Sequence, residues 1–213
     1  MAKATRTAPA KAATKSASTV ISSKGAAPRK SATAAKTGTT ARKPEPEPKD
    51  SLQKILHEML KDIYYAEKKL EKALGKMAKN AAHGELSEAF LTHRDQTTQQ
   101  IEKLNGAFAM LGAKPQAKRC AAMDGLLEEG NENMEEYGKG AGRDAAMIVS
   151  AQKCEHYEIA AYGSLRTFAS TLGHEDLAAV FEEILGEESE TDEILTQLAH
   201  TINEEAVAGS NQQ

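Results

Sequence analysis

The sequence predicts an all-α fold: a four-helix bundle with one long crossover containing a short extra helix, preceded by a disordered basic tail. Three observations carry this. Beyond residue 50, apolar residues recur at alternating steps of three and four, which lines one face of a helix. The apolar content rests on Ala, Leu, Ile and Met, with 4% aromatic residues and no Trp, a composition that favours helix over sheet. The periodic runs form two hairpins separated by a connection of about 30 residues, residues 113–142, too long for an up-down-up-down bundle.

The chain has 213 residues and a net charge of −4 that conceals an asymmetry. Residues 1–49 hold 11 Lys/Arg against Glu45 and Glu47, a net of +9, and the remainder carries −13. Five of the six prolines also lie in this tail. It cannot bury enough apolar surface to offset the entropy of ordering, so disorder is expected over residues 1–49. Pro44-Glu45-Pro46-Glu47-Pro48 reads as a stiff extended spacer. The scattered Lys and Arg resemble nucleoid and linker-histone tails. They point to salt-sensitive contact with DNA or RNA phosphates, and no aromatic residue is present to stack on bases. A solubilising tail, or one that pairs with the acidic body of a second subunit, is the competing reading.

No apolar run approaches the roughly 18 residues of a membrane helix. The N-terminus lacks the apolar segment of a secretory signal and the amphipathic face of a transit peptide. Two cysteines, Cys120 and Cys154, make no disulfide framework. A cytoplasmic protein without membrane contact is expected.

The bundle is expected over residues 50–206. Asp50 caps the first helix, with Gln53 completing a capping box. Its seam is Leu52, Leu56, Met59, Ile63, Ala66, Leu70 and Met77, ending near Asn80. The second helix carries Leu86, Phe90, His93, Thr97, Gln100, Leu104, Ala107 and Leu111. Gly112 and Pro115 stop it. In the crossover, Asp124 to about Tyr137 forms a short helix closed by Gly138, Gly140 and Gly142. The third long helix runs from about Arg143 to Thr171 and ends at Gly173. The fourth runs from about Glu175 to Asn203 along Leu177, Phe181, Ile184, Glu188, Thr191, Leu195, Leu198 and Ile202. Residues 207–213 are expected to be disordered.

Glu155 shares a face with Ile148, Ile159 and Tyr162. A carboxylate on an apolar stripe costs several kcal/mol unless it is paired, protonated or metal-bound. Antiparallel helices pair residues equidistant from their turn. With turns near residues 82 and 172, Glu67 meets Gln96 or Thr97, and Glu155 meets Glu188. One mid-bundle layer can therefore collect Glu67, Gln96 or Thr97, Glu155 and Glu188. His93 and Gln100 flank it from the second helix. Glu158 and Asp192 flank it at i+3 and i+4. Carboxylates at one buried height repel, so a divalent cation or a bound proton must relieve them. His156 and Cys154 lie about 100° to either side of Glu155, the former partly exposed and the latter a packing residue. Cys120 can oxidise if exposed. No phosphate-binding loop or Ser/His/Asp arrangement is present.

His57-Glu58-Met59-Leu60-Lys61-Asp62-Ile63-Tyr64-Tyr65-Ala66-Glu67-Lys68 resembles the opening helix of the YciE/YciF-type stress proteins, a branch of the ferritin-like superfamily. Leu111-Gly112-Ala113-Lys114-Pro115, Cys120-Ala121-Ala122-Met123-Asp124-Gly125-Leu126 and Gln152 to Gly163 match the same family in order. The resemblance covers about residues 51–205. It implies a ferritin-like four-helix bundle, usually a homodimer, linked to stress response. By similarity to di-iron bundles it implies a ferroxidase-type metal centre, with iron (or manganese) held by Glu67, Glu155 and Glu188 and flanked by Glu158, Asp192, His93 and Gln96. The chain departs from the family at Gln96, where a Glu is expected, and it lacks the Glu-x-x-His pairs of di-iron bundles. A neutral amide is a poor ligand for a hard cation, which argues against a tight two-metal site. A dimeric stress protein without catalysis, tethered to nucleic acid by its tail, is the alternative reading.

Overall fold

The computed structural model describes residues 51–210. The basic tail, Asp50 and residues 211–213 lie outside the described residues. Five helices follow one another: α1 (Leu52–Asn80), α2 (Gly84–Met110), α3 (Ala121–Glu136), α4 (Ala141–Thr171) and α5 (Glu175–Ser210). The four long helices form the bundle and α3 is the crossover helix. The elements thus follow the all-α, hairpin–crossover–hairpin pattern of the sequence.

The helix ends have local causes. Ser51, not Asp50, is the N-cap of α1, and its hydroxyl accepts from the Lys54 N–H at 3.2 Å. Helices α2 and α4 end in the same way. Gly112 (φ +66°) and Gly173 (φ +79°) adopt left-handed backbone. The next N–H groups, Ala113 and His174, donate to Phe108 and Ala169 carbonyls at 2.9 Å. Helix α5 continues past Asn203 to Ser210, so the C-terminal disorder expected from residue 207 begins too early. Glu204 through Ala208 contain no helix breaker, and Gly209 is the first weak position.

Each long helix packs on two neighbours: α1 on α2 and α4, and α5 on α2 and α4. The crossover helix α3 lies across α1 and α4. Much of the core comes from the expected seams: Leu56, Ile63 and Leu70 on α1; Leu86, Phe90 and Leu104 on α2; Ile148 on α4; Leu177, Phe181 and Ile202 on α5 are all fully or almost fully buried, and Leu60 on α1 and Leu165 on α4 join them. Each such side chain stabilises the fold by about 1.5–3 kcal/mol.

Buried Asp144, near the start of α4, ties the two hairpins together. Its carboxylate accepts from the Ala82 N–H at 2.9 Å and from the His83 N–H at 2.7 Å. The α1–α2 turn is thereby fastened to the second hairpin at one end of the bundle, which fixes the relative height of all four long helices. On the crossover, Cys120 is the N-cap of α3, accepting from the Met123 N–H at 3.4 Å. It is buried and lies 3.0 Å from the Tyr157 hydroxyl.

Candidate metal centre

At mid-height the apolar seams are interrupted on all four long helices. Glu67 on α1, His93 on α2, Glu155 and Glu158 on α4, and Glu188 on α5 are all buried. Glu155 and Glu158 project together because a step of three keeps them on one face. Ligand atoms from His93, Glu155, Glu158 and Glu188 all lie within 4.8 Å of one another. Glu67 stands beside this group and accepts a hydrogen bond from the Tyr162 hydroxyl.

The imidazole is oriented from behind. Thr191 donates its hydroxyl proton to the Glu187 carbonyl at 3.1 Å. Its oxygen, 3.4 Å from His93 Nδ1, is then left to accept from Nδ1–H. That tautomer frees Nε2 for the centre. His93 Nε2 lies 3.2 Å from Glu155 Oε1 and 3.8 Å from Glu188 Oε2. It makes a hydrogen bond with neither. Both oxygens of Glu155, Glu158 and Glu188 and one oxygen of Glu67 are also buried without a hydrogen-bond partner.

These groups repel one another and are cut off from water. Burial pushes the Glu67 carboxyl up to about 7, against the opposing hydrogen bond from Tyr162. Burial, reinforced by the neighbouring carboxylates, holds Glu158 and Glu188 well above the usual carboxylate range. For His93, burial works against the charged form, but the carboxylates of Glu155 and Glu67 outweigh it and raise the imidazole above its ordinary value. In the absence of a cation, protons take the neutralising role.

The donor set could hold a metal ion. Three carboxylates and one imidazole are groups that a divalent cation accepts as ligands. Seven carboxylate oxygens and an imidazole nitrogen of this buried layer have no hydrogen-bond partner.

The other residues singled out in the sequence lie outside the convergent group. Gln96 is half-buried at the edge of the bundle. Thr97 is buried but donates to the His93 carbonyl at 2.9 Å. Gln100 donates to Glu187 at 3.0 Å. Asp192 accepts from Gln152 at 3.1 Å and lies 3.5 Å from exposed His156. The contribution of α2 to the layer is therefore His93, one turn from the Gln96 or Thr97 given by the register arithmetic. Cys154 is buried, and burial pushes its thiol up to about 12.

Fold and centre together define a ferritin-like bundle with a carboxylate-and-histidine core. The chain belongs to the family described as a domain of unknown function, DUF892, which matches residues 51–208. It is 42% identical over 158 residues to the protein YciF of Escherichia coli (strain K12), covering 73% of this chain and 95% of that one. The crystal structure of the E. coli stress protein YciF superposes with a TM-score of 0.70 at 41% identity, over 73% of this chain and 98% of that chain. YcfI from Rhodopseudomonas palustris superposes with a TM-score of 0.67 at 40% identity, over 68% and 93% of the two chains. No described helix is long and apolar enough to cross a membrane.

Proposed function

We propose that this chain is a YciF-type stress protein whose bundle core holds a divalent iron or manganese ion through His93, Glu155, Glu158 and Glu188. The observation that carries the reading is the convergence of these four buried side chains within 4.8 Å with their ligand atoms unpartnered. Iron held there would supply one-electron redox chemistry, which fits a protective ferroxidase that consumes ferrous iron and peroxide or dioxygen. Glu67 and Tyr162 bound the layer on the α1 side, where Glu67 can exchange a proton near neutral pH. Gln96 stands outside the ligand set, so one ion is favoured over a pair. Calorimetric titration of the metal-free chain with Mn2+, and anaerobically with Fe2+, tests the reading. One ion is expected per wild-type chain and none for Glu155→Ala. No uptake by the wild type would refute it.

A second role is supported by charge segregation. Residues 1–49 carry +9, and the matched family region starts at residue 51. We propose that the tail tethers the bundle, as a homodimer, to DNA or RNA phosphates. The full chain should then shift duplex DNA on a gel in a salt-dependent way, and residues 51–213 alone should not. Retained binding by the shortened chain would refute the tether. Light scattering reads the oligomeric state directly.

A further inference from the structure

Between α2 and α5 a cleft of about 420 Å3 reaches down to His93 and Glu155. Exposed Glu85, Glu88 and Glu190 stand on its lining, and no Lys or Arg does. Half-buried Gln96 lines it as well, three residues from His93. Ile194, 41% exposed, forms part of one wall. The groups at its inner end, His93 and Glu155, are buried and carry atoms without hydrogen-bond partners.

We propose that this cleft is the passage by which a hydrated divalent cation reaches the centre, with Glu85, Glu88 and Glu190 as its collecting rim and Gln96 as a neutral throat residue. The inference rests on the metal reading above. Size permits it: six waters at about 30 Å3 each occupy roughly 180 Å3, well within the cleft. Charge favours it, because a concave surface lined by one sign of charge concentrates counter-ions and accelerates their capture. The end of the passage favours it too, since the unpartnered imidazole nitrogen and carboxylate replace the waters that the ion must shed. Gln96 then has a physical role. A carboxylate at that position would hold the ion partway, whereas an amide lets it pass.

The test is the rate of metal capture by the full-length, metal-free chain. Co2+ is the probe, and its ligand-field absorption is followed by stopped flow. Ile194→Trp narrows the passage without touching a ligand. It should slow both uptake and release several-fold and leave the dissociation constant unchanged. Glu85→Gln, Glu88→Gln and Glu190→Gln combined should lower the uptake rate about ten-fold at low salt and flatten its salt dependence. Val149→Trp, at an exposed position on α4, is the control and should change nothing. If wild-type uptake is normal and Ile194→Trp takes up Co2+ at the same rate, the passage is refuted while the centre stands. If the wild type binds no Co2+, both are overturned.

Discussion

Replacing Glu158 by Gln should stabilise the metal-free chain and abolish its response to metal. Glu158 is fully buried, both of its oxygens lack partners, and its carboxyl is held well above the ordinary 4.5. In the unfolded chain it ionises near 4.5. A carboxyl whose folded pKa is raised supports the fold fully below that value and loses its contribution as pH climbs. Keeping it protonated costs about 1.4 kcal/mol for each pH unit above that value, for as long as the folded carboxyl holds its proton. At pH 5 the cost is below about 1 kcal/mol. The amide of Gln avoids the ionisation cost but brings its own buried donors, worth about 1–3 kcal/mol if unsatisfied. The net expectation is a variant no more stable than wild type at pH 5 that gains on wild type by up to about 1.4 kcal/mol per pH unit as pH rises, and overtakes it by pH 8. For a chain of this size, 1 kcal/mol shifts Tm by roughly 2–4 °C, so the difference between the two melting curves should change sign between pH 5 and pH 8. The assay is thermal unfolding by circular dichroism in chelator, repeated with excess Mn2+. Metal should raise the wild-type Tm, because a ligand that binds only the folded state stabilises it, and should leave the variant unmoved. A variant less stable than wild type at pH 8 in chelator would refute the account of Glu158 as an unpaired acid.

Further outcomes follow from single contacts. Asp144→Ala strands the N–H groups of Ala82 and His83 and should cost about 3 kcal/mol in urea unfolding; a loss below about 1 kcal/mol would show that the turn finds other acceptors. Tyr162→Phe removes the hydrogen bond that lowers the Glu67 carboxyl. The Glu67 titration, followed by NMR of 13C-labelled glutamate, should move to higher pH, and a fall would contradict the assigned donor. Cys120 and Cys154 are both buried, so a thiol reagent should label the native chain far more slowly than the urea-unfolded chain. Rapid native labelling would show that α3 opens.

The bundle was legible because its seams are regular and its ends are marked. Gly112 and Gly173 announce left-handed caps, and α2 and α4 end where those residues stand. The end of α5 was not legible, since nothing between Asn203 and Gly209 stops a helix. Glu155 and Glu188 stood out as carboxylates on apolar stripes, and the structure buries both. The share of α2 in the layer was displaced by one turn. The α1–α2 turn lies at residues 81–83, as the register arithmetic placed it, but three residues span only about 4.5 Å of helix, so a small slide or tilt of α2 against α1 exchanges His93 for Gln96 or Thr97. Asp192 follows Glu188 by four residues, which carries it about 40° beyond the same face, and there it meets Gln152 and His156. Asp144 carried no signal, because its partners are backbone groups of a turn more than 60 residues away in sequence.

On the metal reading, the mid-bundle layer is a compromise between folding and binding. Apolar residues in place of Glu67, Glu155, Glu158 and Glu188 would continue the seams and remove a repulsion that burial magnifies. The bundle tolerates the layer because the seams above and below it are densely apolar. The same rigid packing keeps the carboxylates from moving apart when they are unneutralised. Protons then hold the place of the cation, with Glu67, near 7, releasing its own within the physiological range. Cation binding must displace those protons, so affinity should rise with pH over the interval in which the metal-free fold weakens. Stability lost by the empty core and affinity gained by the site are two readings of one set of raised carboxyl groups. A metal affinity independent of pH between 6 and 8 would separate them and count against the whole assignment.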